Sequence, residues 1–255
     1  MKNFLSKIKT ERVYVFLILL FGMISVFVTF PLGNGDEGYH LSKSYNIFSM
    51  NHPKSMKKTV VRQLEYQAIG LDGDMKDFDV ETFYIKKLKD VEKDSFRFNI
   101  AYDRNITMQI DIAHIPAAIG VMVGRVIYPS YGIMLLCSRI SSLLFFALCM
   151  GAIIKKSTLG KWTLFMLFSI PCIQKLASPS YDVFSYVVFA MYSMNIFELA
   201  KLRTIKEISK QKILYTLITI ILLLFCKKNY LFALAVIPFL PMFFLRILEW
   251  LDNKK

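Results

Sequence analysis

The stretch VYVFLILLFGMISVFVTFPL, Val13–Leu32, carries no charge over 20 residues and passes directly into GNGDEGYHLSK, Gly33–Lys43. The first part is as long as a helix must be to cross a hydrocarbon core of about 30 Å. The second places two adjacent carboxylates, Asp36 and Glu37, and the imidazole of His40 at the water boundary of that span. Ionisable side chains at the mouth of a membrane helix are costly to desolvate, which marks them as a candidate site. The structural alternative is a solvated loop in which Asp36 caps a helix running from Glu37 to Met50.

Of the 255 residues, 55% are hydrophobic, with several further long apolar runs. That composition excludes an ordinary soluble domain and predicts an all-α polytopic membrane bundle. The reading gives a cytoplasmic N-terminus over 1–12 and six spans: 13–33, 131–154, 162–176, 183–199, 213–226 and 230–248. A cytoplasmic tail follows over 249–255. Residues 34–114 form one large extracytoplasmic loop, within which Glu37–Met50 is expected to lie on the membrane interface and 72–104 to be irregular or partly β. Residues 115–128 are too short to span and read as an interfacial helix, in which Gly120 and Gly124 permit close helix contact.

The net charge of +13 does not indicate nucleic acid. Between Asn34 and His114 there are 12 Lys/Arg against 13 Asp/Glu, while the rest of the chain carries 20 basic and 6 acidic residues, concentrated in short flanks such as Lys2–Arg12 and Lys201–Lys212. This is the positive-inside pattern, and it puts both termini in the cytoplasm of a plasma membrane, expected to be bacterial. Cys137, Cys149, Cys172 and Cys226 lie in or at the ends of apolar runs without metal-ligand spacing, as small buried hydrophobes do.

In this topology Asp36, Glu37, His40, His114, Arg125, Arg139, Lys175, Asp182, Lys227 and Lys228 all fall on or near the outer face. Asp36, Glu37 and Asp182 are candidate catalytic acids and bases, or ligands for a hard divalent metal as cofactor. His40, Arg125, Arg139 and Lys175 are candidate ligands for a phosphate whose lipid tail stays in the bilayer.

Four stretches carry a resemblance. Gly35-Asp36-Glu37-Gly38-Tyr39-His40 is similar to an Asp-Glu-x-x-His motif after a first span. His114-Ile115-Pro116-Ala117-Ala118-Ile119-Gly120 resembles an x-x-Pro-x-x-x-Gly interfacial helix, Arg139 lies early in the second span, and Ser178-Pro179-Ser180-Tyr181-Asp182 resembles a Ser-Pro-x-x-Asp outer loop. In this order they resemble the predicted membrane proteins of domain-of-unknown-function family 2142, which look like C-type (GT-C) glycosyltransferases. The resemblance implies a polyprenyl-phosphate-linked sugar as partner, an extracytoplasmic acceptor, and Asp36 as the base. Gly35 departs from the proline usual before the acidic pair, and the sequence stops after six spans where relatives continue. Two alternatives therefore stay open: a shortened, non-catalytic subunit or scaffold paired with a longer relative, and a transporter or flippase-like protein. Span centres almost free of charge argue against the latter.

Overall fold

A computed structural model describes residues 9–70, 79–98, 112–157, 173, 175–202, 204 and 207–241. Among these residues every regular element is helical and no strand is present. The helices are α1 (Thr10–Val28), α2 (Glu37–Asn46), α3 (Lys58–Ile69), α4 (Val80–Tyr84), α5 (Lys89–Glu92), α6 (Ile115–Ile127), α7 (Tyr131–Lys156), α8 (Asp182–Leu199) and α9 (Lys210–Leu224). Two 3₁₀ segments, Lys54–Met56 and Lys228–Phe239, complete the order.

Helices α1 and α7 are long and apolar enough to cross a membrane. They pack together with α8 through Tyr14, Ile18, Leu143, Phe146, Met150 and Val187. The other four expected crossings are not established as spans. Residues 162–172 and 174 of the third, 242–248 of the sixth, and the 249–255 tail lie outside the described residues. Helix α9 has 15 residues, a rise of about 22 Å, shorter than a hydrocarbon core of about 30 Å. The described part of the sixth is the Lys228–Phe239 3₁₀ segment with Pro238 inside it. Helix α8 spans the fourth but carries Asp182, Asn195 and Glu198, which lower its apolar character.

Beyond the end of α1 the described residues of the 34–114 loop form a packed helical head. Leu41, Tyr45, Met56, Val61, Phe83 and Val121 share a core with Met134 and Leu135 of α7. Helix α2 therefore does not lie on the interface: it is clasped between α3 and α6, burying Leu41 and Tyr45. The partly β expectation for 72–104 also gives way over its described part, 79–98; residues 72–78 and 99–104 lie outside the described residues. Residues 80–84 and 89–92 are helical, and Asp79 caps the first by accepting from the Glu81 N–H at 2.9 Å. The Phe83-Tyr84-Ile85 alternation is too short to define a period, and the Asp79 cap decides the outcome locally.

Helix α6 lies against α7 as the small-residue spacing predicts. A Cβ on Gly120 would sit 2.2 Å from the Cys137 carbonyl oxygen, so this backbone approach excludes any side chain. The exposed face of α6, including Val123, Val126 and Ile127, remains apolar.

Candidate functional site

The two carboxylates of the acidic pair point to different environments. Glu37, in the first turn of α2, is fully buried and is held bidentately by Arg139 of α7: Nε to Oε1 at 2.7 Å and Nη2 to Oε2 at 2.6 Å. The remaining guanidinium donors go to the end of α1, with Nη1 donating to the carbonyls of Val26 and Thr29 and Nη2 to that of Phe30. All five N–H donors of Arg139 are thereby engaged, two with a carboxylate and three with carbonyls at and just past the end of α1. Burial pushes the Glu37 carboxyl up from 4.5, while the hydrogen bonds and charge of Arg139 oppose the rise. Arg139 has no donor left for a phosphate, and Glu37 has no exposed oxygen for a reacting group. Their task in this structure is to tie α1, α2 and α7 together.

Asp36 precedes Glu37 with φ 53°, in the left-handed region that a non-glycine residue adopts at a cost. Its side chain does not cap α2. The carboxylate turns outward instead, 65% exposed, and takes a 2.8 Å ion pair from Arg62 of α3. Glu65 fills the space at the helix start. Burial pushes its carboxyl up from 4.5, opposed by the backbone N–H of Gly38, and the charge of Asp36 adds to the rise. Gly38 is required here because a Cβ would meet the Val61 carbonyl at 2.9 Å and Glu65 Oε2 at 3.0 Å.

One turn along α2, the His40 N–H donates to the Asp36 carbonyl and its imidazole points inward, 5% exposed. His40 Nδ1 lies 2.8 Å from Nε2 of the fully buried His114, which precedes α6. Tyr39 and Tyr181 flank the pair, with Tyr181 4.9 Å from the His40 ring and 5.6 Å from the His114 ring. The adjacent Asp182 opens α8, and its carboxylate lies 4.0 Å from Lys227 Nζ. Asp182 is not the side-chain cap of α8; Ser180 Oγ accepts the Asp182 N–H at 3.1 Å. Lys227 also sits over the Tyr181 ring at 5.6 Å, and Lys58 over Tyr39 at 4.8 Å. Burial, with His114 and Lys227 adding to it, holds His40 well below 6.5, so the ring is neutral at pH 7.

Four separated stretches, around residues 36–40, 114, 181–182 and 227, thus meet at one end of the bundle. Of the sequence-derived candidates, His40 and Asp182 join this cluster and Asp36 lies one helical turn from it. Arg125 does not. It is buried, donates to the backbone carbonyls of Phe48 and Asp94, and lies 3.4 Å from the Asp94 carboxylate, stacked under Phe96 at 4.0 Å. Asp94 takes further bonds from Tyr45, Ser49 and the Asn51 N–H, and despite burial these hold it below 3.8. Lys175 is exposed, with no ion pair or hydrogen bond among the described residues. His114 and Lys227 are the contributors that sequence reasoning undervalued. The signal for Lys227 was a polar Lys-Lys-Asn break between two apolar runs. Among the described residues no three His, Cys, Asp or Glu side chains converge to hold a metal ion.

A family model described as predicted membrane protein (DUF2142) matches residues 19–249. The chain belongs to the DUF2142 family. The match extends from within α1 to beyond the last described residue and so takes in every contributor to the cluster. No curated protein and no solved structure matches this DUF2142 chain significantly.

Proposed function

We propose that this DUF2142 protein is a C-type glycosyltransferase that moves a sugar from a polyprenyl-phosphate donor to an acceptor hydroxyl outside the cytoplasm. The observation that supports the reading best is the convergence of His40, His114, Tyr181, Asp182 and Lys227 one helical turn from Asp36, whose carboxylate is exposed. Aromatic walls with a few convergent polar groups are the usual composition of a small-molecule site.

In this reading Asp36 takes the proton from the acceptor hydroxyl as its oxygen bonds to the anomeric carbon. The bond from that carbon to the donor phosphate breaks, and polyprenyl phosphate leaves as the anion. Arg62 orients the Asp36 carboxylate, and the buried Glu37–Arg139 pair fixes the turn from which Asp36 projects. Lys227, with Asp182 as its counter-charge, meets the charge building on the leaving phosphate. The neutral His40 ring, held by His114, offers a hydrogen bond without adding charge of its own.

The decisive test is Asp36→Asn in a transfer assay on the full chain in detergent or membranes. Loss of a general base lowers turnover by about 10² to 10⁴, with expression and melting temperature retained. Full activity in that variant overturns the mechanism. Silent Asp36 and Asp182 variants, together with co-purification of a longer related membrane protein, favour a scaffold subunit instead.

A further inference from the structure

At the opposite end of α7 from the histidine pair, α7, α8 and α9 enclose a groove of about 530 Å³. One wall is apolar, built from Cys149, Ile153, Met191 and Met194. The rim is polar, with Lys156, Asn195, Glu198 and Lys212. Lys212 is paired with Glu198, whereas Lys156 is exposed and has no ion-pair partner among the described residues.

Asn195 is 1% exposed, and its amide orientation is fixed: Nδ2 donates to Thr216 Oγ1 at 2.7 Å, and that hydroxyl donates to the Lys212 carbonyl at 2.8 Å. Oδ1 of the same amide has no partner. A buried acceptor left unpaired is costly, so an occupant that brings a donor to it is favoured. The groove therefore combines three demands: an apolar body, an anion for Lys156, and a hydroxyl for Asn195.

We propose that this groove binds an anionic glycerophospholipid with a hydroxyl-bearing headgroup. The lipid phosphate faces Lys156, its headgroup hydroxyl donates to Asn195 Oδ1, and an acyl chain lies along the Ile153–Met194 wall. Basic pockets between membrane helices hold acidic lipids by this combination of charge and apolar contact. The site is separate from the His40 cluster and does not depend on the sugar-transfer reading.

Native mass spectrometry of the full chain in detergent tests this with phosphatidylglycerol, phosphatidylcholine and inorganic phosphate as probes. One phosphatidylglycerol is expected to be retained at least about tenfold more tightly than phosphatidylcholine. Lys156→Gln is expected to lower that preference about tenfold, the loss of one charge-assisted contact. Because Lys156 is exposed, the variant keeps its melting temperature, and Asn195→Leu provides a second, uncharged check on the headgroup hydroxyl. Equal retention of the two lipids, or an unchanged preference in both variants, overturns the proposal. Displacement of the lipid by millimolar inorganic phosphate overturns it too, by making the groove a site for a free anion.

Discussion

The Arg139 knot and the His40–His114 cluster are both built on α2, three residues apart, yet they use their hydrogen-bonding capacity in opposite ways. Around Arg139 every guanidinium donor is taken, two by Glu37 and three by carbonyls at the end of α1. Around His40 the polar groups are looser: Lys227 and Asp182 stand 4.0 Å apart, and Asp36 is 65% exposed. A saturated network holds elements in place, because any added ligand would have to break a bond first. A network with unspent charge and exposed oxygens has something left to offer a substrate. Adjacent carboxylates with nearly the same chemistry thus divide between scaffold and candidate site.

The comparison is broken most severely at the knot. Arg139→Leu leaves Glu37 buried without its counter-charge and removes the donors to the Val26, Thr29 and Phe30 carbonyls, so unfolding free energy is expected to fall by about 3–5 kcal/mol, read as a lower melting temperature in detergent. Retention of wild-type stability would refute the scaffold role. Next is the seat of α6, where Gly120→Ala places a methyl against the Cys137 carbonyl and is expected to cost about 1–3 kcal/mol in the same measurement.

A smaller effect sharpens the other side of the comparison. The folded His40 titrates well below its ordinary 6.5. Between those values the unfolded chain binds more protons, so the contribution is complete above pH 6.5 and is lost as pH falls from there through the folded value. Melting temperature should therefore decline on acidification below about pH 6.5, and His40→Gln should flatten that decline. The least effect on stability is expected from Asp36→Asn, at no more than about 1 kcal/mol, since the Asp36–Arg62 pair is exposed. That small cost is what makes an accompanying loss of transfer attributable to chemistry.

Much of this was legible along the chain. The uncharged Val13–Leu32 run, the long apolar helix from Tyr131, the short helix over 115–128 and its Gly120 contact all follow from local length, hydropathy and side-chain size. Those properties do not need neighbours to be read. The roles of Arg125 and Arg139 were not legible, because a basic residue near a membrane boundary has the same spelling whether it meets a phosphate or a buried carboxylate. Asp94 and Glu37, their partners, lie 31 and 102 residues away.

By itself the sequence determined that the described residues are helical, apolar and marked by an acidic turn after the first apolar helix, since hydrophobic length and periodicity are local quantities. The tertiary structure alone decided which acid of that turn is buried and which is exposed. It also decided that His40 faces His114 and Tyr181, and that Lys227 joins them. Those outcomes depend on desolvation and on donors supplied from distant segments, and neither exists until the chain has folded.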